Sequence, residues 1–389
     1  MKIKLAIILV LLLFTTGCWN YNELDDFAIV TGMGVDKDKD GIILSVLIAN
    51  GESMGASNKE GNSESTIITG KGKTISEAII NIETKSAKDL YMGHLNEIVI
   101  EDDLAFDSIY DIMDYLIRNP EVVKKYYVLI AKDNKSREIL QVLSPLENFP
   151  SQNIALMVEN SNKRIGYVPN VTLFNFAFSA VNKGLDGYFP SISIEGKLAD
   201  ADDSKDFSKS KVRTSLKLGP LALFKGFKLD SYANIKESKG LNIINNKINE
   251  LIIDLPCYKD KNKYVITKLD DIKAHMSVKI KDKVYVKIDV SSKGSINETN
   301  CKLNLTDNKV IERINEDANK EIKKIITKAI KKVIYTKSDA IGIEYLADKV
   351  KNGYNVDYDK VQYSIKTRIN LKTKGSLENT LKEVQDEDR

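Results

Sequence analysis

Residues 273–290 read KAHMSVKIKDKVYVKIDV, and this stretch decides the fold class of the second half of the chain. Ala274, Met276, Val278 and Ile280 alternate with Lys273, His275, Ser277 and Lys279. After Lys281-Asp282-Lys283 the same period returns in Val284, Val286, Ile288 and Val290. A period of two gives a strand one apolar and one polar face, so the stretch predicts an antiparallel hairpin with one wet side, and His275 falls on that side as ordinary surface. Downstream, Asp307 stands as a cap before Val310, Ile314, Ala318, Ile322, Ile325, Ala329 and Val333 at helical spacing. Acidic Glu312, Glu316, Asp317 and Glu321 come early and Lys323, Lys324, Lys328, Lys331 and Lys332 late, which complements the helix dipole; the lysine run reads as a solvated face. A last strand follows, with Val361, Tyr363, Ile365, Thr367, Ile369 and Leu371 on one side and polar residues on the other. A long helix laid on an antiparallel sheet is the expected C-terminal domain, residues 213–376, with a polar tail at 377–389.

Working toward the N-terminus, the charged segment 200–212 holds only Ala201, Phe207 and Val212 among Asp, Ser and Lys and reads as a linker or exposed loop. Before it, the period alternates between two and 3.6. Phe27 to Val35 and Ile42 to Ala49 flank an Asp-rich, Gly-containing turn and predict a hairpin over 27–50; Gly51 to Ser65 is a polar surface loop. Thr74 and Glu77 form a capping box for a helix running to about Lys88. A strand at Glu97 to Ile100 precedes one helix capped by Asp103 and stopped at Arg118-Asn119-Pro120. Tyr126 to Ala131 is a buried strand and Ser136 to Val142 a further helix. This β-α-β-α-β order predicts an α/β subdomain over 66–143 with parallel strands, inside an N-terminal region 18–199. The expected fold class is therefore α+β and multi-domain.

At the start, Lys2 and Lys4 precede an apolar run from Leu5 to Phe14 and then Thr15-Thr16-Gly17-Cys18. A basic n-region, a short h-region and a small-residue cleavage site predict a signal peptide over 1–17, since the run is roughly half the ~20 residues a bilayer span requires. Gly17-Cys18 resembles a bacterial lipobox, which makes Cys18 the expected lipidation site. Two acyl chains of a diacylglyceryl group anchor stably where one would not. Cys257 and Cys301 then remain, and they could pair or stay two buried thiols.

Composition excludes several functions. The 58 Lys and Arg against 55 Asp and Glu leave a charge of +3. The basic residues are mostly Lys, with Arg only at 118, 137, 164, 213, 313, 368 and 389, which argues against a nucleic-acid partner. With only His94 and His275, a usual zinc site lacks its ligands and a Ser-His-Asp triad could draw only on these two; His94, where a helix passes into a strand, reads as structural, and no cofactor is expected. Asp36-x-Asp38-x-Asp40-Gly41 matches half of a calcium loop, but Leu47 stands where the bidentate Glu belongs; a turn explains the residues. Gly72-Lys73-Thr74 lacks the first P-loop Gly, Ile67 being in its place. No catalytic residues are assigned.

Taken in order, a set of local patterns resembles one family, the Ger(x)C lipoproteins that form the C subunits of spore germinant receptors. The resemblance rests on Gly17-Cys18-Trp19 with Glu23-Leu24, Gly34-Val35-Asp36, Tyr91-x-Gly93-His94 and Arg118-Asn119-Pro120-Glu121. It continues through Leu143-Ser144-Pro145-Leu146-Glu147, Gly219-x-x-x-x-Phe224-Lys225, Glu237-Ser238-Lys239-Gly240, Ser338-Asp339 with Gly342, and the closing strand to Gly375. Departures are Asn20, where Asp is common, and Tyr354 and Tyr358 in a stretch that often holds a Trp. The resemblance implies a three-domain α+β fold and a non-enzymatic, lipid-anchored subunit on the outer face of the spore inner membrane. Its implied partners are the integral membrane subunits of the same receptor. A rival from another class is a lipid-anchored solute-binding protein, which should show two similar α/β lobes around a cleft.

Overall fold

The computed structural model describes residues 26–50, 65–119, 126–147, 149–200, 213–258 and 260–372. The expected signal peptide, Cys18, nearly all of the loop 51–65 and of the linker 200–212, and the tail 377–389 lie outside the described residues.

Two sheets organise the chain. The first hairpin, β1 (Phe27–Asp38) and β2 (Gly41–Ala49), turns at Lys39-Asp40, and β3 (Ser65–Gly72) adds antiparallel to β2. Half of the capping box forms as read, the Glu77 amide donating to Thr74 Oγ1 at 3.2 Å, while the Glu77 carboxylate reaches one residue further back and accepts the Lys73 amide at 2.7 Å. Helix α1 (Ile75–Glu83) ends earlier than the expected Lys88, because Ile75, Ala78 and Ile82 complete its buried stripe and the chain then turns toward β4 (Asp89–Tyr91). After β5 (Glu97–Glu101), the single helix expected from Asp103 is two, α2 (Asp102–Asp107) and α3 (Tyr110–Arg118), broken where the Ile109 amide donates to Phe227 O instead of continuing a helical ladder. Strand β6 (Tyr127–Ala131) and helix α4 (Ser136–Gln141) stand as read, followed by α5 (Pro150–Arg164), α6 (Leu173–Val181) and β7 (Tyr188–Glu195).

Strands β1, β5, β6 and β7 run parallel, as the alternation of strands and helices required. Beyond the boundary expected at 213, β8 (Ser215–Lys225) and β9 (Lys228–Tyr232) pair into this first sheet: Ser215 pairs with Glu195, so 196–214 connects neighbouring antiparallel strands. The nine-stranded sheet runs β3-β2-β1-β5-β6-β7-β8-β9, with β4 beside β1.

Asp36 shows how a buried carboxylate organises one face. It lies fully buried on β1, and its oxygens accept the Ser136 amide at 2.5 Å and the Arg137 amide at 3.4 Å, so it caps α4 from 100 residues away. Asp38 instead pairs with Lys71, so the half calcium loop is dispersed. On the same sheet Glu97 is fully buried and neither carboxyl oxygen has a hydrogen-bond partner in the protein. Desolvation raises its carboxyl well above the usual 4.5. The native state therefore holds a proton that the unfolded chain releases. Stability from this group is complete below 4.5 and falls as pH rises toward the native value, by about 1.4 kcal/mol per pH unit. Glu97→Gln, which cannot ionise, is expected to unfold at higher urea than the wild type at pH 7 and at nearly the same urea at pH 4. An equal offset at both pH values contradicts a protonated Glu97.

The second sheet holds β10 (Leu251–Pro256), β11 (Tyr264–Ile280), β12 (Val284–Thr299) and β13 (Gln362–Lys372), in that order. The hairpin is longer than the quoted stretch. Asp271 takes a positive φ of 52° at a bulge between Asp270 and Lys273, which shifts the inward positions from Val265, Thr267 and Leu269 to Ile272 and the even-numbered residues after it. His275 is exposed, as read. Helix α8 (Asn308–Thr336), capped by Asp307 through the Lys309 amide at 2.8 Å, buries Ile314, Ala318, Ile322, Ile325, Ala329 and Val333. It also carries the chain back along the sheet, so β13 joins β12 parallel while the other pairs are antiparallel. Helix α7 (Ile235–Ile244) fills the space between the sheets.

Candidate functional site

The patterns singled out in the sequence converge where the two sheets meet. Helix α8 ends with Lys337 in the left-handed region, and the next residues enter a buried joint before α9 (Ile343–Val350). Ser338 Oγ donates to Phe224 O at 2.5 Å, and the Asp339 amide donates to Asp186 Oδ2 at 2.7 Å. In return the Asp186 amide donates to Asp339 O at 3.0 Å, while Asp186 Oδ1 accepts the Gly226 amide at 2.9 Å. The Asp339 carboxylate accepts the Gly342 amide at 2.9 Å, the Glu344 amide at 2.8 Å and the Tyr358 hydroxyl at 2.8 Å. Gly342 sits at φ 76°, which a side chain rarely adopts, so the turn onto α9 requires glycine. Burial pushes the Asp339 carboxyl up to about 6, opposed by the backbone amides of Glu344 and Ile343 and by Tyr358; burial, followed by the Asp339 charge, raises the Tyr358 phenol.

The first sheet meets this joint with an aromatic cluster. Phe176 stacks on Phe189 with centroids 4.4 Å apart, and Phe224 lies edge-on to both. Asn245, just past α7, donates from Nδ2 to Ala340 O at 2.8 Å and to the Tyr188 phenol oxygen at 3.0 Å. Ser238 on α7 accepts the Leu221 amide at 3.1 Å. Gly240 lets α7 lie against α8: a Cβ there would stand 2.6 Å from Ala329 Cβ and 2.7 Å from Ile325 O. Phe224, Ser238, Gly240, Ser338, Asp339 and Gly342 thus act as one clasp, with the carboxylate oxygens engaged by protein donors, and its work is to fix one sheet against the other. Asp186, Tyr188 and Asn245 escaped the sequence reading. Their only local signal is Asp186 between Gly184 and Gly187.

Other residues singled out in the sequence fall elsewhere. His94 is exposed and packs edge-on against Tyr91 at 5.8 Å. Leu146 in the connection after α4 is 84% exposed. Cys257 and Cys301 form a disulfide with Cα atoms 6.0 Å apart, tying the residue just after β10 to one two positions past the end of β12. Beside it lies a cleft of about 350 Å³ lined by Pro256, Tyr258, Leu303, Val310 and Ile314, with the Arg313 guanidinium 3.4 Å over the Tyr258 ring centre. Among the described residues no group of three His, Cys, Asp or Glu gathers as a metal site, and no helix is long and apolar enough to cross a membrane.

Comparison with known proteins gives two successive matches. Residues 20–194 match the family described as "Spore germination protein N-terminal domain", and residues 220–380 match "Spore germination B3/ GerAC like, C-terminal". Spore germination protein KC of Bacillus subtilis (strain 168) is 26% identical over 379 residues, covering 93% of this chain and 90% of that protein. Spore germination protein GerQC of Bacillus cereus is 24% identical over 341 residues, covering 87% and 88%. The crystal structure of the GerBC protein aligns over 87% of this chain and 96% of its own, at 14% identity and a TM-score of 0.49. Both domain matches occur in tandem and in the order the local patterns implied: the chain belongs to the Ger(x)C family of spore germination proteins.

Proposed function

We propose that this chain is the lipid-anchored, non-catalytic subunit of a spore nutrient germinant receptor, acting at the spore inner membrane through contact with integral membrane subunits of the same receptor. One observation carries the reading: the two germination domains span nearly the whole chain, and residues that recur in the family pattern form a clasp between sheets, with the Asp339 carboxylate engaged by protein donors. The Cys257–Cys301 disulfide supports an extracytoplasmic site, since such bonds persist in oxidising compartments. A solute binder would pair two similar lobes around its cleft, whereas here a nine-stranded and a four-stranded sheet differ in strand order, and the 350 Å³ cleft lies at the end of the smaller one.

Cys18 is the proposed lipid site. It stands nine residues before Phe27, so the folded part lies within about 30 Å of its anchor even with that segment extended. Cys18→Ala is expected to move the protein from the membrane to the soluble fraction and to abolish the spore's response to the cognate nutrient. Full retention in the membrane fraction would refute the anchor. Deletion of the chain in a host without a redundant paralogue, with germination scored nutrient by nutrient, tests the receptor role. Normal responses to every nutrient would refute it.

A further inference from the structure

We propose that the outward face of α6 is a second membrane contact, seating the folded part on an anionic lipid surface independently of the lipid chain. The sequence of α6 is LFNFAFSAV. Leu173 and Phe176 point inward and are buried. Phe174, Phe178 and Val181, spaced at i, i+4 and i+7, point out and are 67, 48 and 75% exposed. A surface helix normally turns a polar face to water; one that is apolar on both faces meets something else.

The surroundings of the stripe favour lipid over a protein groove. Phe178 touches Tyr345 of α9 edge-on at 6.5 Å, and the Lys349 ammonium stands 4.2 Å over that tyrosine ring. Exposed Lys183 follows α6, with Nζ 2.8 Å from Asn355 Oδ1, and Lys351 lies 5.8 Å over Tyr354. None of these three ammonium groups is in a salt bridge among the described residues. Of the nearby acids, Asp114 on α3 is paired with Arg118, Glu344 and Asp348 accept backbone amides, and Asp111 is exposed. Aromatic rings interleaved with lysines are the composition that sits at headgroup level, and lysines near an anionic surface add electrostatic attraction that salt screens.

Topology puts this face on the tethered end of the molecule. Strands β1, β5, β6 and β7 are parallel, so their first residues share one end of the sheet. Thr172, which caps α6, bridges to Tyr127 at the start of β6, and the chain leaves α6 to enter β7 at Tyr188. Phe27, from which the short segment to Cys18 departs, opens β1 at that same end. The orientation rests on the lipid-anchored reading; the exposed stripe and its lysines do not.

The test uses the chain from Trp19 onward, which keeps every residue of both sheets and lacks the lipid site, so failure of the anchor and failure of this contact are scored separately. It is mixed with phosphatidylcholine vesicles containing roughly a quarter phosphatidylglycerol, and with vesicles of phosphatidylcholine alone. The expected result is sedimentation with the anionic vesicles that weakens with salt, and a loss of about ten-fold in partitioning for Phe174→Ser with Phe178→Ser. As a second readout, Phe178→Trp in a Trp19→Phe background is expected to shift its emission to the blue and to be quenched by brominated lipid. Indifference of the wild-type chain to anionic vesicles, or equal partitioning of the double variant while its thermal unfolding is unchanged, overturns the proposal. So does protection of the stripe from hydrogen exchange only when the membrane subunits are added, which would make it a protein interface.

Discussion

Replacing Asp339 by Ala should lower stability by roughly 3–5 kcal/mol, the range for breaking a buried charged network by removing one partner. The carboxylate is 1% exposed and serves the Gly342 amide, the Glu344 amide and the Tyr358 hydroxyl; Ala leaves these donors unserved in a space water does not reach. Asp339→Asn keeps the shape but offers one oxygen in place of two, so a smaller loss of about 1–3 kcal/mol is expected. The pH dependence separates the charge from the shape. The native carboxyl titrates at about 6 against 3.8 in the unfolded chain, so this group favours the native state fully below 3.8 and loses that contribution as pH rises through 6. Relative to Asp339→Asn, which does not titrate, the wild type should gain about 3 kcal/mol between pH 7 and pH 3.5. Urea unfolding at several pH values measures the gap; one independent of pH would mean that Asp339 has the same proton affinity folded and unfolded. Because the clasp joins the two sheets, the Ala variant is also expected to exchange amide hydrogens faster at 184–187 and 338–345 than elsewhere.

A loss of comparable size is expected when the Cys257–Cys301 bond is opened. The bond closes a loop of 44 residues, and the chain-entropy relation puts its effect at about 4 kcal/mol. The loop contains β11 and β12, the two longest strands, whose pairing brings distant residues together; constraining the unfolded chain there shortens the search that β-pairing requires. Cys257→Ser with Cys301→Ser, or dithiothreitol on the wild type, should lower the thermal midpoint by several degrees, and dithiothreitol should leave the double variant unaffected. If reduction leaves the wild-type midpoint unchanged, the two thiols are not joined in the native protein.

Much of the local structure was legible because it depends on neighbours in sequence. Thr74 with Glu77 and Asp307 cap the helices they were expected to cap, since a cap needs only a side-chain oxygen and an amide two or three residues on. The inward residues of α8 and the alternation from Tyr363 to Leu371 likewise follow from period alone. The reading failed where a distant partner intervenes. At Ser108 and Ile109 a hydrogen bond to Phe227 ends a helix that period alone would continue. At Asp271 a bulge changes which residues face the core, so the first half of β11 was not seen as part of the hairpin. Helices α5 and α6 carry few buried residues each, and in α6 the apolar outward face hides the helical period.

By itself, the sequence determined the α+β class, the hairpin at 273–290, the long capped helix and the family, because each rests on patterns confined to a few turns or strands. Only the tertiary structure decided that β8 and β9 complete the first sheet, that β13 runs parallel to β12, that Cys257 meets Cys301, and that Ser238, Gly240, Ser338 and Asp339 form one clasp with Asp186. The physical reason is range. A helix period or cap is an interaction between residues a few positions apart, whereas pairing Asp186 with Asp339 depends on how every element between them packs.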